Sequence, residues 1–330
     1  MKKILIVRLG AIGDVVHSTI IQQAIKQKHP DYEISFLTSE LISPLIENDI
    51  SLKKVYQFDM KKKNNFLYLF NLGLKLRKEK FDVVFNLTNS LRNTFLSLII
   101  NPEKIIKRNK NRVHAVDAFF NSAKKVFSDI EKPKNLKLYL DRNVLKKIAS
   151  NVEKYPKPYL IISPGGEHDN LRQGRIWPNE YWIELSNKLN NEFKGTIFIA
   201  GSKEEQKSHE KLQAQINNSV LMSGKLSLEE SACLFSMADL FISGDSGPLH
   251  MASALGVKTL GIMGSTPDIA CGPYGENGYS IKSEIECIGC DLSKCPKINK
   301  NEIYTPCMKL IIPDNVINFI KENLLLANYF

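Results

Sequence analysis

The chain alternates short apolar runs with longer stretches in which apolar side chains recur at helical spacing. Residues 4–9 are almost wholly apolar, as is typical of a strand buried on both faces. Residues 14–28 then carry apolar side chains along one helix face. This alternation predicts a parallel sheet with crossover helices. The predicted strands of this half are 4–9, 32–38, 54–58 and 81–87, and the predicted helices are 14–28, 39–47 and 66–80.

The same pattern restarts after residues 154–158, where Pro156 and Pro158 disfavour helix and suit a linker. We therefore predict an α/β protein with two doubly wound, Rossmann-like domains, 1–155 and 156–330, and a ligand cleft between them at the carboxyl ends of the strands. The amphipathic terminal helix is expected to pack back on the first domain. The predicted strands of the second half are 159–163, 196–200, 240–243 and 259–263, and its predicted helices are 182–192, 203–217, 228–237, 248–255 and 314–326.

Two glycines, Gly10 and Gly13, follow the first strand and lead to Asp14 at the start of a helix. They allow a tight turn, but a dinucleotide-binding loop needs a third glycine and a carboxylate about 20 positions further on. Open α/β sheets place their chemistry at the carboxyl ends of strands, where Asp14 falls. Asp14 is therefore either a catalytic carboxylate or a helix N-cap.

A second glycine pair, Gly165 and Gly166, ends the first strand of the second half, and Arg172 and Arg175 follow in the loop. Glycine N–H groups together with an arginine fork suit a phosphate. The alternative is a solvated loop with incidental charge.

Small residues lead from a strand into a helix at 243–250. Ser246 and Gly247 begin the helix, whose exposed N–H groups form an anion site. Asp245 would repel a phosphate and suits the hydroxyl groups of a sugar. The alternative is a plain capped helix with His250 packed beneath it.

Four cysteines, Cys287, Cys290, Cys295 and Cys307, lie within 21 positions. This spacing resembles a structural tetrathiolate site for zinc or iron, although it is looser than that of a paired zinc finger. The alternative is a set of reduced, partly buried thiols.

The charge of the chain is unevenly distributed. The whole chain carries a formal net charge of +10, but residues 1–155 hold 29 basic and 15 acidic side chains, and residues 156–330 hold 16 basic and 20 acidic ones. The main basic runs are 61–63 and 104–112. Such runs are usually solvated faces, but a basic half also suits nucleic acid, an anionic membrane surface or an acidic substrate.

Several classes of protein are disfavoured. No apolar run approaches the roughly 18 residues of a membrane span, and Arg8 and Asp14 interrupt the only stretch resembling a signal peptide. A cytoplasmic location is expected. Six cysteines in 330 residues are too few for a disulfide scaffold. The chain lacks a helix-turn-helix, finger or ribonucleoprotein motif, so nucleic acid is not the expected partner.

Taken together, these motifs resemble the ADP-heptose:lipopolysaccharide heptosyltransferases, family 9 of the GT-B glycosyltransferases. The resemblance runs over nearly the whole chain and implies the GT-B fold, with an N-terminal acceptor-binding domain and a C-terminal nucleotide-sugar-binding domain. The segments that carry it are 8–17, 89–92, 175–178, 224–229, 244–250 and the cysteine cluster with Met308.

The resemblance also implies roles for individual residues. Asp14 matches the catalytic base, and Arg175 the contact to the nucleotide diphosphate. Glu204 matches the ribose contact, although Glu205 is adjacent, and Leu226 falls where the family places the adenine. The implied donor-binding residues are Gly165, Gly166, Arg175, Glu204, Leu226, Asp245, Ser246, Gly247 and His250, and the expected acceptor-binding residues are Lys61, Lys62, Lys63, Asn89 and Arg92.

The implied activity is an inverting transfer of heptose from ADP-heptose to the inner core of lipopolysaccharide or lipooligosaccharide. The acceptor would be an anionic lipid A-core, met by a peripheral enzyme at the inner face of the cytoplasmic membrane. The chain has no Asp-x-Asp pair for Mg²⁺, so no cofactor is expected for catalysis, and zinc or iron at the cysteines would be structural. The alternatives are another nucleotide-sugar GT-B transferase, including one that O-heptosylates protein, and a basic nucleic-acid-binding protein.

Overall fold

The computed structural model divides the chain into two compact units, residues 1–139 and 140–330. It describes residues 1–88, 90–108, 113–165, 173–299 and 302–324, with the side chain of Phe193 left out. Each unit is built around its own parallel sheet.

The first unit contains a five-stranded parallel sheet in the order β3-β2-β1-β4-β5. β1 and β4 are therefore neighbours although two strands separate them in sequence, and the strand order reverses between them. Ligands of open α/β sheets bind at such a reversal. The elements are β1 (Lys3–Val7), α1 (Ile12–Lys28), β2 (Glu33–Ser39), β3 (Leu52–Phe58), α2 (Phe66–Arg77), β4 (Val83–Asn86), α3 (Leu91–Ile100), β5 (Lys104–Lys107) and α4 (Ala115–Lys124).

The apolar runs of the sequence account for the central strands of this sheet. Ile4, Leu5, Ile6 and Val7 of β1 are all fully buried, because side chains on both faces of a central parallel strand pack against helices. β5 lies at the edge of the sheet and has exposed lysines at both ends. Charged ends of this kind protect an edge strand from pairing with another chain.

One predicted helix is wrong, and several elements of the first unit were not predicted. Residues 39–47 contain only a single 3₁₀ turn, Ser43–Leu45, because Pro44 lacks the N–H that a longer helix would need. Beyond residue 88 the pattern predicted no elements, whereas the structure contains α3, β5 and α4 there.

The second unit contains a six-stranded parallel sheet in the order β11-β10-β9-β6-β7-β8. Its strand order reverses between β6 and β9. The elements are α5 (Arg142–Val152), β6 (Tyr159–Ser163), α6 (Asn179–Phe193), β7 (Thr196–Ile199), α7 (Gln206–Gln213), β8 (Ser219–Leu221), α8 (Leu228–Phe235), β9 (Leu240–Gly244), α9 (Gly247–Ala254), β10 (Thr259–Met263), α10 (Asp268–Cys271), β11 (Gly278–Lys282), α11 (Pro306–Lys309) and α12 (Pro313–Asn323).

The division between the units falls before α5, whereas the sequence placed it after residue 155. α5 packs against α8, and Lys147 on α5 forms an ion pair with Glu230 on α8 at 2.8 Å. The prolines at 156 and 158 therefore separate α5 from β6 inside the second unit. They do not mark the domain boundary.

The terminal helix α12 belongs to the hydrophobic core of the second unit. Its apolar face, formed by Val316, Ile317 and Ile320, is buried in one cluster with Trp177 and Trp182. The sequence suggested that this helix packs on the first domain, but its apolar face is buried in the core of the second unit. Among the residues that the structure describes, no helix combines the length and apolar character needed to cross a bilayer.

Candidate active site

Asp14 lies in the first turn of α1, at the point where the strand order of the first sheet reverses. It is not the N-cap of this helix, since Ala11 occupies that position. Its carboxylate accepts a hydrogen bond from Nη2 of Arg8, and Nη1 of Arg108 lies 3.6 Å from its other oxygen. A quarter of the Asp14 side chain stays exposed. The structure therefore presents an oriented, accessible carboxylate at the end of β1.

Arg8 connects this carboxylate to both strands of the reversal. Its Nε donates to the carbonyl oxygen of Gly10 at 3.0 Å, and its Nη1 donates to that of Leu87, which follows β4, at 2.9 Å. Burial lowers the pKa of the Arg8 guanidinium, and the charge of Arg108 adds to this while Asp14 opposes it. The three contacts fix Arg8, and through it Asp14. Arg8 is part of the glycine motif that the sequence revealed, but the sequence alone assigned it no role.

The predicted acceptor-binding cations lie at the carboxyl end of β3. Lys61 and Lys62 form a 3₁₀ turn with Met60, and Lys62 pairs with Asp59 at 3.0 Å. The Arg92 guanidinium lies 5.7 Å from the centre of the Phe58 ring. Lys63 ends the turn and is exposed like the other two lysines. Asn89 and residues 109–112 of the basic run lie outside the described residues.

A cavity of about 820 Å³ lies in the second unit, where β6 and β9 end and the strand order reverses. This volume is in the range of small-molecule sites. The cavity combines most of the predicted donor-binding residues: Gly165, Arg175, Glu204, Asp245, Ser246 and Gly247 all line it. Leu226, which is partly buried just before α8, is not among the lining residues, and Gly166 and Arg172 lie outside the described residues.

Asp245 and Arg175 form an ion pair on the wall of the cavity, with 2.6 Å between Oδ2 and Nη2. His250 lies on the other side of this carboxylate, 3.4 Å away, and Nε of Arg175 donates to Thr266 at 3.0 Å. Burial opposes ionisation of Asp245, but the hydrogen bond from His250 and the charge of Arg175 outweigh it, so the pKa is lowered. The carboxylate is thus neutralised by its neighbours and need not repel an anion.

The start of α9 presents a helix N-terminus to the cavity. Ser246 is the N-cap, and its hydroxyl accepts from the N–H of Leu249 at 3.3 Å. Gly244 lets the chain come this close, because a Cβ there would lie 2.7 Å from the carbonyl oxygen of Arg175. The backbone of Arg175 and the loop before α9 are therefore packed directly against each other, and a cationic side chain lies beside the positive end of the helix.

Two acidic residues at the start of α7 are distinguished by their contacts. Glu205 accepts the N–H of Ser202 at 2.6 Å, which ties it to the backbone. Glu204 is exposed at the cavity, and hydrogen bonds from its own backbone and from Ser202 lower its pKa. Glu204 is thus the better placed of the two to accept hydroxyl groups from a ligand.

Three residues of the cavity region were missed by the sequence-based reasoning. Lys207 and Lys211, four apart on α7, both line the cavity. His209 is buried behind it: Nε2 lies 3.1 Å from the carbonyl oxygen of Gly165, and Nδ1 lies 2.7 Å from the Ser223 hydroxyl. Since a carbonyl oxygen only accepts, Nε2 is the protonated nitrogen. Helical spacing placed the lysines on one face, but nothing local showed which face met the cavity.

The four clustered cysteines converge on a separate small cavity of about 20 Å³. Cys307 is buried, and its sulfur lies 3.1 Å from the Thr305 hydroxyl. Burial raises the pKa of this thiol. Within the described residues, no group of three or more His, Cys, Asp or Glu side chains is arranged to hold a metal ion. Thiolates are suitable ligands for zinc or iron. The structure thus brings the four cysteines to one cavity but does not arrange them as a metal site.

Known proteins resemble this chain over most of its length. The model of glycosyltransferase family 9 (heptosyltransferase) matches residues 69–300. The lipopolysaccharide core heptosyltransferase OpsX of Haemophilus influenzae is 25% identical over 305 residues, which cover 86% of this chain and 85% of that protein.

Solved structures show the same fold. The glycosyl transferase family 9 from Veillonella parvula superposes with a TM-score of 0.83 at 17% identity, covering 98% of this chain and 97% of that one. The Escherichia coli heptosyltransferase WaaC with ADP-2-deoxy-2-fluoro heptose has a TM-score of 0.68 at 18% identity, covering 97% and 99%. The prediction of two Rossmann-like parallel-sheet domains of the GT-B type is thereby confirmed. With its family model matched over more than half its length, this chain belongs to glycosyltransferase family 9 and is a glycosyltransferase.

Proposed function

We propose that the protein transfers heptose from ADP-heptose to the inner core of lipopolysaccharide or lipooligosaccharide, with inversion at the anomeric carbon. The observation that carries this proposal is the cavity at the strand reversal of the second sheet. It brings together an arginine, two lysines, a helix N-terminus and an exposed carboxylate. Cations and backbone N–H groups suit a diphosphate, and carboxylates suit the hydroxyl groups of sugars.

The protein would hold the donor by its phosphates and by its hydroxyl groups. Arg175 and the start of α9 would bind the diphosphate, Glu204 the ribose hydroxyls and Asp245 the heptose. Leu226 would contact the adenine. Asp245 supports this division because its charge is already balanced by Arg175 and His250. As the sugar leaves, the charge developing on ADP would meet groups already fixed in place, which is the most effective form of electrostatic stabilisation.

Asp14 would act as the general base in the first unit. It would take the proton from the acceptor hydroxyl, whose oxygen attacks the anomeric carbon opposite the diphosphate; the bond to ADP breaks and ADP leaves with the electron pair. A single base and direct displacement invert the configuration. Arg8 supports this role by holding one carboxylate oxygen and leaving the rest of the side chain accessible.

The acceptor would be the anionic lipid A-core, approached from the cytoplasm at the inner face of the cytoplasmic membrane. Lys61, Lys62, Lys63 and Arg92 support this assignment, because they place cations at the carboxyl edge of the first sheet, which is also the edge of Asp14. Asn89 is proposed to take part with them.

The donor is identified by thermal shifts with ADP-, UDP- and GDP-sugars. We expect selective stabilisation by ADP and ADP-heptose, since a ligand that binds the folded state raises its melting temperature by mass action. Stabilisation by UDP- or GDP-sugars alone would favour another GT-B transferase. Stabilisation by nucleic acid alone would contradict the proposal.

A structural zinc or iron ion at the four clustered cysteines is a separate proposal, supported by their convergence on one small cavity. Elemental analysis of protein purified without chelator should find about one metal ion per chain. Cys233, buried outside the cluster, provides the control: Cys233→Ser should keep the metal and Cys295→Ser should lose it. Substoichiometric zinc and iron with all four thiols titratable would rule the site out.

A further inference from the structure

Helix α2 of the first unit has an exposed apolar face in addition to its buried one. Phe66 and Leu67 are 65% and 66% exposed, and Phe70 and Leu74 are 40% and 38% exposed. Phe66, Phe70 and Leu74 recur every four residues and lie along one side of the helix. The Phe66 ring lies 4.8 Å from that of Phe95 and 6.5 Å from that of Phe70. Isolated exposed apolar side chains are common, but a continuous face of them on one helix marks an interaction surface.

The exposed apolar face of α2 is separate from the face that packs in the core. A different side of α2, formed by Leu69, Gly73 and Leu76, is buried. α3 approaches so closely there that a Cβ on Gly73 would lie 2.5 Å from Ile99. The helix therefore satisfies its packing in the fold with one face and leaves large apolar side chains on the other.

The charge around this face is mainly positive, although Asp59, which pairs with Lys62, and Glu79 flank the segment. Residues 60–78, which include α2 and the turn before it, hold six lysines and arginines and no aspartate or glutamate. Lys61 and Lys63 are exposed before the helix, and Arg77 and Lys78 are exposed at its end. Apolar side chains between cationic ends are the pattern of a helix that lies in a membrane interface and binds anionic headgroups.

We propose that α2 and the preceding turn 60–63 dock the enzyme on an anionic phospholipid bilayer. Phe66, Leu67 and Phe70 enter the interface, and the lysines contact the headgroups. This docking surface rests on the proposed function, because a lipid-anchored acceptor requires the enzyme to work at a membrane. The location agrees with this: α2 begins just after β3, so its aromatic end lies at the carboxyl edge of the sheet, as Asp14 does.

A second copy of the chain suits this face less well. Two α2 helices packed face to face around a two-fold axis would bring both sets of lysines together. The six basic side chains of each segment would repel those of the other, and the two flanking carboxylates, Asp59 and Glu79, are too few to offset this. A bilayer that carries phosphatidylglycerol supplies both the apolar layer and the negative charge.

The test is co-sedimentation of the full-length protein with phosphatidylglycerol-containing vesicles and with pure phosphatidylcholine vesicles. We expect binding to the first only, weakened by salt. Lys61→Gln with Lys63→Gln should reduce partitioning about fivefold for each lysine. Phe66→Ser with Phe70→Ser should reduce it by at least about tenfold, because both rings are withdrawn from the interface.

Matched controls come from α5 of the second unit and from a residue just before β3 in the first. Arg142→Gln with Lys146→Gln removes the same two charges from exposed positions on α5. Ile50→Ser removes a side chain that is 93% exposed just before β3, at the amino end of that strand. Both controls should bind vesicles as the wild type does, and all variants should keep the wild-type melting temperature and ADP-induced shift.

The proposal is overturned if wild-type protein does not bind anionic vesicles, or if the controls reduce binding as much as the α2 variants do. It is also overturned if Phe66→Ser with Phe70→Ser abolishes a concentration-dependent dimer and leaves vesicle binding intact. Failure of the proposed function is separate: transfer to a soluble, deacylated acceptor should be unchanged in Phe66→Ser with Phe70→Ser, whose two residues belong to neither proposed binding site. Absence of that transfer in wild-type protein would count against the activity and not against the docking surface.

Discussion

At the scale of single residues, the carboxylates Asp14 and Asp245 are each held by neighbouring cationic side chains. Asp14 is held by Arg8 and approached by Arg108, whereas Asp245 is paired with Arg175 and flanked by His250. The two carboxylates differ in access: Asp14 is 25% exposed and Asp245 only 5%. The accessible carboxylate suits a base that must meet an incoming hydroxyl group, and the buried one suits fixed binding.

Asp14→Asn should lower the transfer rate by about 10²–10⁴-fold, the usual contribution of a general base. The amide can keep the hydrogen bond from Arg8, so the fold and the ADP-induced thermal shift should not change. Asp31→Asn, which removes an exposed carboxylate from the same unit, is the control. A variant at position 14 that folds normally and retains near wild-type turnover would show that Asp14 is not the base.

His209 is expected to act as a positioning residue for the turn at Gly165, whose φ of +80° suits glycine. His209→Leu removes the donor to the Gly165 carbonyl and should raise the KM for the donor about fivefold, the cost of one hydrogen bond, with a smaller effect on kcat. His209→Gln can donate to the same oxygen and should restore most of the loss. Equal KM values for the two variants would show that this contact has no positioning role.

At the scale of elements, the sites depend on where strands end and helices begin. The sequence predicted β6, β9 and the start of α9 with small errors, because their apolar runs and glycine-rich ends are local signals. It did not predict which face of α7 meets the cavity. That face carries Lys207 and Lys211, and its orientation depends on how α7 packs on the sheet, which is a tertiary property.

Lys207→Ala combined with Lys211→Ala should weaken ADP binding about three- to tenfold, since exposed ion pairs each contribute little and are screened by salt. The same variant should flatten the salt dependence of ADP affinity, measured by calorimetry at two ionic strengths. Arg142→Ala with Lys146→Ala on α5 removes equal charge away from the cavity and serves as the control. An unchanged ADP affinity in the α7 variant would exclude these lysines from the donor site.

At the scale of the whole molecule, the charge asymmetry persists, slightly reduced, when the boundary is placed where the structure has it. Residues 1–139 hold 25 basic and 13 acidic side chains, whereas residues 140–330 hold 20 basic and 22 acidic ones. All of the excess positive charge therefore belongs to the unit with Asp14 and α2. The unit with the proposed donor site is close to neutral and binds its anion with a few local groups.

This division predicts the response of the whole chain to ADP. Hydrogen exchange with ADP alone should slow at the end of β6, in α7 and at the start of α9, because binding suppresses local opening there. Exchange in α1 and α2 should stay the same. Equal protection of α1 would mean that the two units do not divide acceptor and donor binding as proposed.

The sequence by itself determined the fold class and named most residues of the candidate site. Apolar periodicity specifies buried strands and crossover helices, and glycines, prolines and small polar residues mark the turns at their ends, since these are properties of neighbouring residues. The sequence also identified Asp14, Arg175, Asp245 and the start of α9 as candidates for the site.

Only the tertiary structure decided which residues share a site. It paired Arg175 with Asp245, joined Arg8 to Leu87 across two strands and placed His209 beneath Gly165. It also moved the unit boundary ahead of α5 and used α12 in the second core. These contacts join residues far apart in the chain. They depend on strand order and helix packing, which the spacing of neighbouring residues does not reveal.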